Sequence, residues 1–159
     1  MQLPKYTVGV GDRFARQGAA QLEAVIRANR EGAAVAPVWN KSHREHTIVG
    51  STPGDVRREA DDAVAALGWT GPYFVDADHI ALKTVDAFIA SSDFFTLDVA
   101  DFIGRAPADD ALAEFLRKYR SYLGRLAVPG LDEPREISEQ AIEAAARKFL
   151  WAVQEAGRI

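Results

Sequence analysis

The sequence contains no cysteine. Disulfides, thiolate nucleophiles and cysteine-ligated zinc are therefore excluded, and any metal would need histidine and carboxylate ligands. Long apolar runs are missing too, and no segment approaches the roughly 18 apolar residues of a membrane span. The opening MQLPKYTVGVGDRF has neither a charged start nor a long apolar stretch, so it does not read as a signal peptide, and a cytoplasmic protein is expected. There is no basic excess: the net charge is −4, with both signs interspersed, which argues against nucleic acid as a partner. Internal repeats and low-complexity tracts are absent as well. What is there is globular in character. With 48% apolar and 26% charged residues in 159, the chain can bury one ordinary core.

Short apolar runs alternate with amphipathic stretches along the chain. A strand is predicted over Tyr6–Val10, broken by Gly9 and Gly11. Leu22, Val25 and Ile26 give Gln21–Arg30 helical spacing, with Gly32 as the stop. Ala34–Trp39 reads as a second strand that ends in the polar string Asn40-Lys41-Ser42-His43-Arg44-Glu45-His46. A helix follows, with Thr52 as cap, Pro53 at its first position and Asp55 in its first turn. Its apolar face is Val56, Ala60, Ala63, Val64 and Leu67, and Gly68 ends it. Pro72–Ala77 is a third strand running into Asp78-His79, Val85–Ile89 a short helix, and Asp93–Val99 a fourth strand running into Asp101. Beyond it, Ala111–Leu126 reads as helix and Val128–Arg135 as a loop. Ser138 then caps a final helix whose inward face includes Ile142, Ala145, Phe149, Leu150 and Val153.

Four strand-helix units with short connections imply an α/β fold with a parallel sheet and right-handed crossovers. An open doubly wound sheet would gather polar residues at one crevice. Here every strand ends in ionisable or amide residues, as on the C-terminal face of a (β/α)8 TIM barrel. A partial barrel is expected, with about four units plus C-terminal helices, in one domain over residues 1–159. Four strands cannot close a barrel, so the chain reads as the N-terminal part of a longer enzyme or as a half that pairs.

The densest candidate site is Asp76-Ala77-Asp78-His79. On a strand the two aspartates share a side, and burying both is costly without a cation or a donor. An adjacent imidazole suits a divalent ion such as Zn, Mn or Fe; the bland alternative is a capped loop with a surface histidine. In the run Asn40–His46, Arg44 or Lys41 can bind a substrate carboxylate and Glu45 can act as acid or base, unless the run is simply solvated. Gly9-Val10-Gly11-Asp12-Arg13 falls short of a dinucleotide fingerprint because Phe14 stands at the third glycine. Its glycines are better read as a sharp turn that aims Asp12 and Arg13 into the mouth of the barrel. Asp98 and Asp101 add acids at the fourth strand end, or cap the next loop. The tryptophans and the Phe94-Phe95 pair are expected in the core.

The strings GVGDRF, WNKSHREH, FVDADHI and FFTLDVADFIG, in this order and spacing, resemble the tagaturonate epimerase family from about Tyr6 onward. The resemblance implies a metal-dependent epimerase of hexuronate catabolism that interconverts D-tagaturonate and D-fructuronate, keturonic acids, by retro-aldol and aldol steps. It also implies a divalent cation (Zn, Mn, Fe, Ni or Co) with His79 as a ligand, Asp78 as the base, and Glu45, Ser42 and Arg44 near the substrate. Two alternatives stay open: another metal-dependent sugar isomerase on the same barrel, and a non-catalytic half-barrel that binds sugar acids or another chain. Unpaired sheet edges would favour self-association, and the chain alone is expected to be inactive.

Overall fold

The structure, a computed structural model, describes residues 3–159 as two compact units, divided after Asp98. The first unit is built on a four-stranded parallel sheet in the order β1-β2-β3-β4, formed by Thr7–Gly11, Ala36–Ser42, Phe74–Ile80 and Phe94–Leu97. Between the strands run helices α1 (Gly18–Arg30), α2 (His43–Val49) and α3 (Pro53–Leu67), and a 3-10 turn at Val85–Ala87. Strand neighbours in space are neighbours in sequence, so the order never reverses and there is no switch point. No strand pair closes the sheet into a barrel among the described residues.

Alternation along the strands gives the sheet two different faces. On one, Trp39 and Val75 form a core with Leu22 of α1 and Val56, Ala60 and Ala63 of α3. The two helices pack closely, and Gly18 is where that closeness is felt: a Cβ there would lie 2.7 Å from Glu59 Cγ. On the other face, Ala36, Val38 and Phe74 cluster with Phe94. Farther along the same strands, toward their C-terminal ends, this face turns polar, with Asn40, Ser42, Asp76 and Asp78 paired in register as Asn40↔Asp76 and Ser42↔Asp78.

The strand boundaries differ from the sequence reading at the ends that matter. β2 continues through Asn40 and Lys41 to Ser42, and the rest of the polar string is the helix α2, not a loop. β3 runs through Asp78 and His79 to Ile80. His79 adopts φ 55°, a left-handed backbone, and the pairing with β4 shifts register between Ala77 and Ile80. That irregularity breaks the simple alternation just where the acids end. Leu67 and Phe95, both expected inside, are 39% and 38% exposed.

The second unit, Val99–Ile159, contains α4 (Asp109–Lys118), a two-stranded antiparallel sheet of β5 (Gly124–Leu126) and β6 (Arg135–Ile137), and α5 (Glu139–Arg158). The helix expected over Ala111–Leu126 is therefore too long. It stops at Lys118, a 3-10 turn follows at Arg120–Tyr122, and Gly124, at φ 85°, turns the chain into β5. The Pro/Gly segment after it is the connection of a hairpin, in which Gly124 pairs with Ile137. Ser138 caps α5 as read, its hydroxyl accepting from the Ala141 amide at 3.1 Å. The buried stripe of α5 is Ala146, Leu150, Ala152 and Glu155; Ala145, Phe149 and Val153 lie outside it.

Candidate active site

At the end of β1, Gly9 and Gly11 keep the edge bare so that Asn40 can lie against it. A Cβ on Gly11 would sit 2.5 Å from Asn40 Oδ1. Asp12 follows, and its carboxylate is engaged by the chain itself, accepting from the amides of Phe14, Arg16 and Gln17 at 3.0, 2.5 and 2.8 Å. Burial pushes its pKa up, but these amides and the charge of Lys41 outweigh that and hold it below the ordinary value. Asp12 thus shapes the loop that presents Arg13, whose Nε lies 3.8 Å from Glu45 Oε1.

Ser42 and Glu45 form a capping box at the start of α2. The Ser42 amide and hydroxyl both donate to Glu45 Oε2, at 3.0 and 2.9 Å, while the Glu45 amide donates back to Ser42 Oγ at 3.3 Å. The Ser42 amide holds the Glu45 carboxyl below its usual range, against burial, with help from the Ser42 hydroxyl, Arg13 and Lys41. Glu45 is therefore an ionised carboxylate with one oxygen tied down and the other facing Arg13. His43 and Arg44 stand exposed in the same first turn.

On β3, Asp78 is the register neighbour of Ser42. Ser42 and Asp78 thus lie on adjacent strands at one edge of the sheet, and Glu45 follows Ser42 in the first turn of α2. Asp78 Oδ1 lies 2.8 Å from His79 Nδ1, and His79 is the more exposed of the two. Asp76, one step deeper, is buried, and the Thr96 hydroxyl lies within hydrogen-bond distance of both its oxygens, at 3.1 and 2.9 Å. Burial pushes its pKa up, against the Thr96 hydroxyl, and the neighbouring charge of Asp78 adds to the rise. At the end of β4, the Asp98 amide donates to the Ile80 carbonyl at 2.8 Å. Asp101 lies in a 3-10 turn of the second unit.

Histidine beside aspartate is the right kind of donor pair for a divalent cation, but the number falls short. Among the described residues no group of three His, Asp or Glu side chains could hold a metal, and a catalytic centre of this type uses about three protein ligands.

Lys41, a candidate from the sequence for a substrate carboxylate, is not available for that role, because it is buried behind this edge. Lys41, 1% exposed, points to the helix side of the sheet and donates from Nζ to Ser51 Oγ at 2.9 Å. His46 Nδ1 lies 2.9 Å from the same oxygen. Burial, and after it the charge of Lys41, lowers the His46 pKa from 6.5 to about 4. The Ser42-x-x-Glu45 spacing is a sequence signal for the helix that follows, since it matches a capping box, but not for the burial of Lys41.

A parallel sheet of β/α units with Ser42, Asp78 and His79 toward the C-terminal ends of its strands, and Glu45 in the helix that follows, defines an α/β protein with a polar C-terminal edge. The chain belongs to the tagaturonate epimerase family, whose sequence pattern matches residues 1–146. Its fold is similar to solved structures of the fructuronate-tagaturonate epimerase UxaE from Cohnella laeviribosi. The native form is 23% identical with a TM-score of 0.69, and a form complexed with one glycerol is 19% identical with a TM-score of 0.70. The similarity covers 94% of this chain and 32% of each of those, so the chain spans about a third of their length. No curated protein matches the chain in sequence.

Proposed function

We propose that this chain supplies part of the active site of an epimerase that interconverts D-tagaturonate and D-fructuronate. The observation that carries the reading is the family match over residues 1–146. The non-reversing strand order favours a barrel over a doubly wound sheet for the complete fold. Hexuronate catabolism in the cytoplasm, with a keturonic acid as the small-molecule partner, belongs to the same reading.

The carbon to be inverted is not adjacent to the ketone, so one enolisation cannot reach it. A retro-aldol route can. A base takes the proton from the hydroxyl on that carbon, and the bond to the carbon next to the ketone breaks. Its electron pair passes into an enediolate and leaves an aldehyde. The aldehyde turns, the bond re-forms on its other face, and the proton returns to the oxygen. Asp78 is the proposed base, with Glu45 the second carboxylate at the same edge. Arg13 and Arg44 are suited to the substrate carboxylate through their guanidinium forks, and the Ser42 hydroxyl to a substrate hydroxyl. Asp12 acts by holding the loop that carries Arg13. His79 is proposed as one ligand of a divalent cation (Zn, Mn, Fe, Ni or Co), which when bound supplies Lewis-acid stabilisation of negative charge.

The test is an assay of the enzyme containing this segment on purified tagaturonate and fructuronate, with ketoses and ketose phosphates alongside. Interconversion of the keturonates is the expected result. Turnover of neutral ketoses or phosphates alone would replace this reading with another sugar isomerase.

A further inference from the structure

Helix α2 has seven residues, and His46 is the one that is buried. A helix that short is not stable by itself, so what anchors His46 decides where the helix sits. The anchor is unusual. Ser51 Oγ stands between His46 Nδ1 and Lys41 Nζ, 2.9 Å from each, and the Ser51 amide donates to the His46 carbonyl at 3.0 Å. One proton arrangement satisfies all three groups in a single chain. An ammonium only donates, so Ser51 Oγ accepts from Lys41 and has its own hydrogen left for His46. In that arrangement His46 Nδ1 is a bare acceptor and the neutral ring carries its proton on Nε2.

A buried ammonium that donates to one hydroxyl and otherwise feels the carboxylates of Asp12, Glu45 and Glu59 only through space costs more desolvation than an apolar side chain of similar length. What its charge does here is orient a hydroxyl and act on Asp12, Glu45 and Glu59. We propose that Lys41, Ser51 and His46 form a buried positioning relay that fixes α2 from below and thereby sets the Glu45 carboxylate at the strand-end site. The role assigned to Glu45 rests on the function proposed above; the relay itself does not. α2 is held at both ends, by the Ser42–Glu45 box at its start and by this relay after Gly50 turns the chain back at φ 67°.

The experiment uses the full chain labelled for NMR, with Ser51→Ala and Ser51→Thr as variants. In the unmodified chain, nitrogen shifts are expected to give His46 as the Nε2–H form. Ser51→Ala leaves the Lys41 charge in place but cuts the link. It is expected to mix the His46 tautomers and to move the Glu45 titration up toward an ordinary carboxylate, while Ser51→Thr restores both. An Nδ1–H form in the unmodified chain overturns the relay. So does a Glu45 titration that Ser51→Ala leaves in place. If Ser51→Ala fails to fold, the unmodified chain and Ser51→Thr still decide the matter through the tautomer. In the active enzyme Ser51→Ala should lower kcat ten- to a hundredfold with KM nearly constant, as for a misplaced catalytic group; full activity would overturn the positioning role. An unmodified enzyme that ignores keturonates would sink the epimerase reading and leave the NMR result standing.

Discussion

Asp78 and His79 are bonded to each other, yet the chemistry proposed for them differs, and substitution separates the two. Asp78→Asn keeps the shape and removes the proton acceptor. In the complete enzyme it should lower turnover by about 10²- to 10⁴-fold while metal content, read by elemental analysis, stays near its original level. His79→Ala should instead reduce metal content. Near-normal turnover in Asp78→Asn would hand the role of base to Glu45.

His46 carries a second prediction at this scale. Its folded pKa, about 4, lies below its ordinary 6.5. Between those values the unfolded chain binds a proton that the folded chain refuses, so acid favours unfolding. The contribution is fully present above pH 6.5 and is lost as the pH falls toward 4, by up to about 3 kcal/mol. Denaturant midpoints measured across that window should fall with acid, and His46→Gln should flatten the fall. A midpoint in the unmodified chain that holds steady down to pH 4 would contradict a buried neutral imidazole.

Among the elements, α2 is the most exposed to a single change. Removing the Ser42 hydroxyl deprives both the Glu45 amide and the Glu45 carboxylate of a partner. Ser42→Ala should cost about 1 kcal/mol, the usual worth of an N-cap, read as a lower denaturant midpoint. Ser42→Thr should recover most of it. An unchanged midpoint in Ser42→Ala would mean that the box contributes nothing to stability. The same element shows why part of the site was not legible. Asn40–His46 has the charge density of a loop, and only its Ser-x-x-Glu spacing betrays a helix. β3 was legible as a strand with Asp76 and Asp78 on one side, but not its left-handed kink at His79, which pattern alone does not reveal. Residues Ala111–Leu126 kept helical spacing past the point where the helix ends, because periodicity does not register the turn that Gly124 makes possible.

For the whole molecule, the sheet has β1 and β4 at its margins, where Val8, Phe95 and Leu97 are 39%, 38% and 38% exposed. Unpaired margins with apolar side chains invite a further strand. The isolated chain is expected to self-associate, which its mass in solution will show. It should also fail to epimerise tagaturonate with added Mn, Zn or Ni, because the described residues gather no three metal ligands. A monomer that turns over the substrate would contradict both expectations. No helix among the described residues is long and apolar enough to cross a membrane.

By itself the sequence determined the alternation of strands and helices, the parallel α/β class, the family through its GDR and DADH strings, and the placing of acids at strand ends. All of these are local: each depends on spacing, caps and side-chain type within a few residues. Tertiary structure alone decided which groups far apart in the chain meet. It brought Thr96 onto the buried Asp76, twenty residues away, whereas the amides that hold Asp12 and the capping box that ties Glu45 are local. It also put Lys41 behind the sheet, where Ser51 and His46 meet it. A hydrogen bond depends on where two groups lie in space, and residues ten apart in the chain, as Lys41 and Ser51 are, acquire that nearness only when strand, helix and turn have packed.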